Sequence, residues 1–475
     1  MRAAQLCAIE LPDFGLPASE PVLEKSIYET RMADLHSRMA AHNLDAVVIY
    51  GDREHVANIA WATGYDPRFE EAICIVVPGR KPTLLAGNEG FPYAETANGV
   101  FDRVLWQSLS LMGQPRDKYQ PLAEILSVAG LKPGMRMGLA GWKGFETEAG
   151  VFDPAWFETP HYLVAALQKL GTVTNAALLF MHPTEGLRTI NEVEQLARFE
   201  YAATLSSSAI RRAIAAVKPG MTEYAFCSAL NVNGFPQSTH INMCSGPLAK
   251  YGLPSPSTRV MQQGDPIVVG MGLMGALNCR AGFLATDASQ LPKAVQDYVT
   301  KLVAPYFSSA VAWYETLGLG VEGGALYDAV MYHVGDPFFG IGLNPGHLIH
   351  LDEWMHSPIR KNSKMKLVSG MALQCDIIPA TGTEYFTSNI EDGVALADEP
   401  LREAFCMKYP ESWKRIQARR AFMTEHSASS CGQKFCPSAT WLAGCRLSGW
   451  PQARRWRCAR GVQCANCLNK PPMKL

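Results

Sequence analysis

The sequence predicts two consecutive domains, an open α/β sheet followed by an α+β unit of long antiparallel hairpins. Two observations carry this. Helical patterns alternate with short buried strand patterns over about 28–178, whereas the strand-like runs after about 183 come in pairs with helices between them. The length agrees, because 475 residues exceed what one ordinary core accommodates.

The first expected element is a helix over 28–43, with Met32, Leu35, Met39 and Ala40 at helical spacing. It leads into Leu44-Asp45-Ala46-Val47-Val48-Ile49-Tyr50, a β-rich run closed by Gly51-Asp52. Strands are expected over 72–77 and 82–86, divided by the turn residues Pro78-Gly79. A further strand is expected over 136–140 and an amphipathic helix over 161–170. In the second unit Asn191 is placed to cap a long helix with Glu192, Glu194 and Gln195 in its first turn, and Pro219-Gly220 lies beyond its end. Ile267-Val268-Val269, Ala372-Leu373-Gln374 and Val394-Ala395-Leu396 read as strands, with helices over 291–317 and 324–334. No internal repeat at solenoid periods is visible.

Composition narrows the partners. A formal net charge of -1 provides no global field for nucleic acid or an anionic membrane, so neither is expected as a partner. The first thirteen residues include Glu10 and Asp13 and read as no signal peptide, and no apolar stretch approaches the roughly 20 residues of a membrane span. A cytoplasmic protein is the expectation. Seven of the thirteen cysteines are scattered from Cys7 to Cys406, as buried reduced thiols would be. The other six crowd between Cys431 and Cys467, in a tail over 426–475 with eight Lys/Arg, no carboxylate and no periodicity. Disorder is expected there. A zinc knuckle on Cys464-x-x-Cys467 lacks a second pair of matching spacing.

Several motifs then fall in a familiar order. The stretch from Arg31 to Asp45 with Ala46-Val47-Val48-Ile49-Tyr50-Gly51 is similar to the N-terminal domain of creatinases and prolidases. Asn191-Glu192-Val193-Glu194-Gln195-Leu196-Ala197 resembles the helix that opens their catalytic domain, and Lys218-Pro219-Gly220-Met221-Thr222-Glu223 its exit. Gly264-Asp265-Pro266, Gly346-His347, Gly370-Met371-Ala372-Leu373-Gln374-Cys375-Asp376 and Ile390-Glu391-Asp392-Gly393-Val394 follow at the spacings of the pita-bread domain. Over about 28–423 the chain thus resembles the creatinase/prolidase/aminopeptidase P family. The resemblance implies an α/β N-terminal creatinase-like domain plus an α+β pita-bread C-terminal domain. The expected boundaries are an N-terminal extension over 1–27, the creatinase-like domain over 28–180, the pita-bread domain over 185–425 and the tail.

Peptide-cleaving members of the family hold two divalent metals with two Asp, one His and two Glu. Carried over, the His falls on His347, the first Glu on Asp376 and the last Glu on Glu391, but the two Asp positions fall on Gly270 and Ala281. A divergent member lacking part of the two-metal site is implied. Three chemistries stay open. One is metal-free cleavage of a C–N (amide, peptide or amidino) bond, with His347, Glu391 and His240 as acid/base groups. Another is a single divalent metal (Mn, Co or Zn) on His347, Asp376 and Glu391, an Xaa-Pro peptidase-like enzyme with a rearranged site. The third is an inactive relative that binds or scaffolds. Arg280 and Arg53 are candidate clamps for a substrate carboxylate, and His356 could fold back onto the pocket. His55 and His350 could also reach it, whereas Cys279 is the weaker candidate for a nucleophile. The resemblance further implies a small-molecule or short-peptide substrate and a homodimer.

Overall fold

The computed structural model describes residues 4–8, 12–148, 150–427, 435–437 and 454–458. Helix α1 (Lys25–Ala41) buries Leu35 and Met39 and feeds strand β1 (Ala46–Gly51). Helix α2 (Ala57–Thr63) follows, then β2 (Ala72–Val76), β3 (Thr83–Ala86) and β4 (Asp102–Leu105). Helix α3 (Leu122–Val128), β5 (Arg136–Ala140), α4 (His161–Gln168) and β6 (Thr172–Asn175) complete the first domain. The six-stranded sheet runs β4-β3-β2-β1-β5-β6, antiparallel across β1/β2 and β2/β3 and parallel elsewhere. The unbroken apolar run Ala72–Val76 is buried throughout, as a strand covered on both faces should be.

The second domain opens with α5 (Val193–Ala216). Its sheet comprises β7 (Asn242–Ser245), β8 (Pro266–Leu273), β9 (Ala276–Phe283), β10 (His347–Leu348), β11 (Ala372–Asp376) and β12 (Asn389–Leu396). The strands are antiparallel in the order β7-β8-β9-β12-β11-β10. Helices α6 (Ala304–Thr316) and α7 (Gly323–Val334) lie between β9 and β10 in the chain, and α8 (Glu399–Lys408) and α9 (Pro410–Ser427) follow β12. Two expectations need correction. Asn191 does not cap α5: its amide donates to the Gly370 carbonyl at 3.0 Å, tying the helix entry to the sheet. The helix expected over 291–317 is a turn at Lys293–Val295, a π-turn at Val299–Val303 and only then α6.

Two buried arginines join the domains. Arg31 of α1 donates to Glu192 and to Gln195 at the start of α5, and to the Trp61 carbonyl in its own domain. Arg188, fully buried, bridges Asn58 of α2 to Asp352 of the loop after β10. In the tail, Phe435–Pro437 pairs with β12 and Arg454–Cys458 with Ala4–Ala8. The remaining tail residues expected to be disordered, Cys464 and Cys467 among them, lie outside the described residues. Among the described residues no helix is long and apolar enough to cross a membrane.

Candidate active site

Sheet register builds the site. Cys279 of β9 lies opposite Glu391 of β12, and Glu391 lies opposite Asp376 of β11. Opposed residues in antiparallel strands project to the same face. His347 lies opposite Gln374, two residues from Asp376, and so joins that face. Its Nδ1 is 3.1 Å from the Leu348 carbonyl, which can only accept, so Nδ1 donates there and Nε2 is turned toward the acids. Around Nε2 stand Glu353 Oε1 at 3.3 Å, Glu391 Oε1 at 3.4 Å and Asp376 Oδ2 at 4.0 Å. Trp354 stacks on the imidazole at 4.1 Å between ring centres.

Glu353 is the residue the sequence reading missed. It comes from the loop after β10, and no strand periodicity points it at the pocket. With His347 and Glu391 it forms a group whose ligand atoms all lie within 4.8 Å of one another.

Three carboxyls this close and this buried resist ionising together. Burial pushes Glu353 up to about 7, with Glu391, Asp376 and Asp352 adding to the rise against the pull of His347. Burial also raises Glu391 to about 7, helped by Asp392 and opposed by the Cys279 hydrogen bond and Arg280. Asp376 is held well above the usual carboxylate range by burial and then by Glu391. Each of the three therefore keeps its proton to higher pH than an exposed carboxyl does.

The other anticipated residues are placed as follows. Arg280 does not face a substrate: its guanidinium grips Asp392 with two bonds of 2.8 and 2.9 Å, buried beside Asn278. His356 does not fold into the cleft. Its backbone bridges Leu348, and burial lowers its pKa with Glu146 and Arg360 as its charged neighbours. His350 is buried against Phe199 with neither ring nitrogen hydrogen-bonded. His240 precedes β7, is 80 % exposed, and approaches Glu54 at 3.8 Å rather than hydrogen-bonding to His347 or Glu391. Arg53 pairs with its neighbour Glu54 at 3.0 Å and stays mostly exposed.

Arg53, His55, Trp142, His240, Glu353 and Trp354 all line one cleft of about 520 Å³ between the domains. His55 stacks on Trp142 at 4.5 Å, giving the N-terminal wall an aromatic floor. Gly270 and Ala281 contribute no donor. Ala281 packs in an apolar patch with Cys244, Val268 and Phe386.

The arrangement defines a two-domain chain with a His–carboxylate centre on a pita-bread sheet. Residues 31–174 match the family model of the creatinase/prolidase N-terminal domain. Among solved structures, dipeptidase PepE from Mycobacterium ulcerans is similar at 16% identity and a TM-score of 0.60, over 79% of this chain and 94% of that one. A prolidase from Thermococcus sibiricus matches at 16% identity and a TM-score of 0.61, over 78% and 95%. An Xaa-Pro dipeptidase from Bacillus anthracis matches at 14% and 0.58, over 78% and 96%. No curated protein matches the sequence. Residues 31–174 thus match the creatinase/prolidase N-terminal domain, and the chain shares the fold of these solved structures.

Proposed function

We propose that the chain hydrolyses a C–N bond of a small substrate or short peptide at a single divalent-cation site, without the family's two-metal centre. The observation that carries this is the convergence of His347 Nε2, Glu353 Oε1 and Glu391 Oε1 within 4.8 Å of one another, with Glu353 also lining the interdomain cleft. The donor set fits a cation. One imidazole turning Nε2 toward hard carboxylate oxygens is a donor set that suits Mn, Co or Zn, and Asp376 Oδ1 is a buried acceptor with no hydrogen-bond partner. Gly270 and Ala281 leave too few donors for a second dication. When bound, a divalent cation supplies Lewis acidity toward the scissile group and acidifies water.

The chain's own residues do the remaining work. Glu353 spans ligand set and cleft, so its carboxyl is placed to take or give a proton at the substrate. Trp354 covers His347 and excludes water from it. Arg53, presented by the other domain, is the group available for a substrate carboxylate. A cleft of about 520 Å³ takes a dipeptide-sized molecule. The homodimer implied by the resemblance belongs to the same proposal, with light scattering as its check.

Metal-free protein titrated with Mn, Co and Zn and analysed for bound metal should take up about one equivalent. The loaded protein should then cleave at least one member of a panel of Xaa-Pro dipeptides, N-acyl amino acids and amidino acids. Two tightly held equivalents would restore an ordinary dinuclear peptidase. No uptake and no turnover would leave an inactive binding protein.

A further inference from the structure

A second cavity, of about 150 Å³, lies in the first domain, between the loop leading from α2 to β2 and the turn after β3. It shares no lining residue with the interdomain cleft. Glu70 lines it and is only 3% exposed. One of its oxygens is committed: Oε2 accepts from the Glu89 and Gly90 amides at 3.1 and 2.9 Å. The other, Oε1, has no hydrogen-bond partner. Two glycines make the room. A Cβ at Gly87 would stand 2.5 Å from Glu70 Oε2, and one at Gly90 would stand 2.6 Å from the Tyr65 hydroxyl. The rings of Tyr65 and Tyr93, 5.5 Å apart between centres, line the same space. Arg68 also lines it, but its guanidinium is turned to Asp66 at 3.3 Å and to the Tyr93 hydroxyl at 3.4 Å. Among the described residues Glu70 therefore has no ion-pair partner.

A buried carboxylate without a counter-charge is costly, and so is a buried acceptor without a donor. A protonated amine supplies both: its charge balances Glu70 and its N–H groups give Oε1 the donor it lacks. Aromatic faces attract the same cation. We propose that this cavity binds a primary ammonium group on a short aliphatic stem, with Glu70 as counter-ion and Tyr65 and Tyr93 as aromatic walls. The ammonium group is carried by a free amine or by a lysine side chain.

Calorimetric titration of the full-length chain with n-butylammonium, at neutral pH and low salt, should show saturable binding near one equivalent. Tetramethylammonium has the charge but no N–H, and should bind at least about tenfold more weakly. Glu70→Gln should weaken n-butylammonium by a similar factor, whereas Arg68→Ala, which removes a like charge, should tighten it. Binding of Nα-acetyl-lysine amide as tight as that of n-butylammonium supports a lysine side chain as the source, and binding of n-butylammonium alone supports a free amine. No saturable binding, equal binding of tetramethylammonium, or binding unchanged in Glu70→Gln overturns the proposal. Loss of binding in Arg68→Ala overturns it too, because the cavity would then hold an anion. Should Glu70→Gln fail to fold, Tyr93→Leu at the half-buried ring replaces it. A fall of about threefold or more supports the site, and unchanged binding overturns it.

Discussion

Glu353 owes its position to a loop and its acidity to the sheet beside it. Its carboxyl and that of Glu391 rise from 4.5 to about 7 in the folded chain. Between those values the native state binds protons that the unfolded chain releases, so stability falls as pH rises through the interval and levels off above it. The melting temperature of metal-free protein should therefore drop between about pH 5 and pH 8, and Glu353→Gln should flatten part of that slope. Cation binding runs the other way, because ligands must be deprotonated. Metal affinity should climb through the same interval, with proton release visible as buffer-dependent heat in calorimetry. Arg280 makes a different statement. Removing it takes away the cation that balances the buried Asp392 carboxylate, so Arg280→Ala should cost about 3–5 kcal/mol in urea unfolding. Sequence showed His347, Asp376 and Glu391, since each sits in a short motif around a strand. It misassigned Arg280 because the carboxylate that occupies it lies 112 positions along the chain, and it passed over Glu353 because nothing local orients a loop side chain.

At the scale of elements, α9 is fastened to α5 by a buried charge cluster. Glu200 accepts from Arg415 at 2.6 and 3.0 Å and from Arg419 at 2.7 Å, and Arg419 also donates to Thr204. The arginines hold the Glu200 carboxyl below its usual range although burial pushes the other way. Glu200→Ala strands two buried cations and should destabilise by about 3–5 kcal/mol, whereas exposed Lys364→Ala, which loses only a surface pair with Glu322, should change stability by less than about 1 kcal/mol. Strands were legible wherever β-branched runs are bounded by turn residues, as at Ala46–Gly51 and Ala72–Val76. The long helical pattern over 291–317 was not. Apolar spacing there survives a π-turn at Val299–Val303, which shifts the hydrogen-bond ladder without erasing the buried face of Leu302 and Val303.

Across the whole molecule, the domains meet at the cleft and are held there by hydrogen-bonded side chains as well as packing. Arg188 touches Asn58 at 2.7 Å on one side and Asp352 at 2.6 Å on the other, and Asp352 is the residue before Glu353. Arg188→Ala should therefore loosen the loop as well as the domain contact. Metal affinity is expected to fall about 10- to 100-fold, read by competition with a chelator, as for loss of an outer-shell support. Two domains were legible from length and texture, but their junction was not, because it depends on isolated polar residues with no sequence pattern of their own.

That junction makes cation capture a property of the pair of domains. A fragment starting after the first sheet keeps His347, Asp376 and Glu391 on its strands and Arg188 on Asp352, yet loses Asn58, the first-domain group that holds Arg188 in place. Such a fragment should take up zinc feebly, and mixing it with the separately made first half should restore uptake, so that metal titration becomes an assay for docking of the two halves.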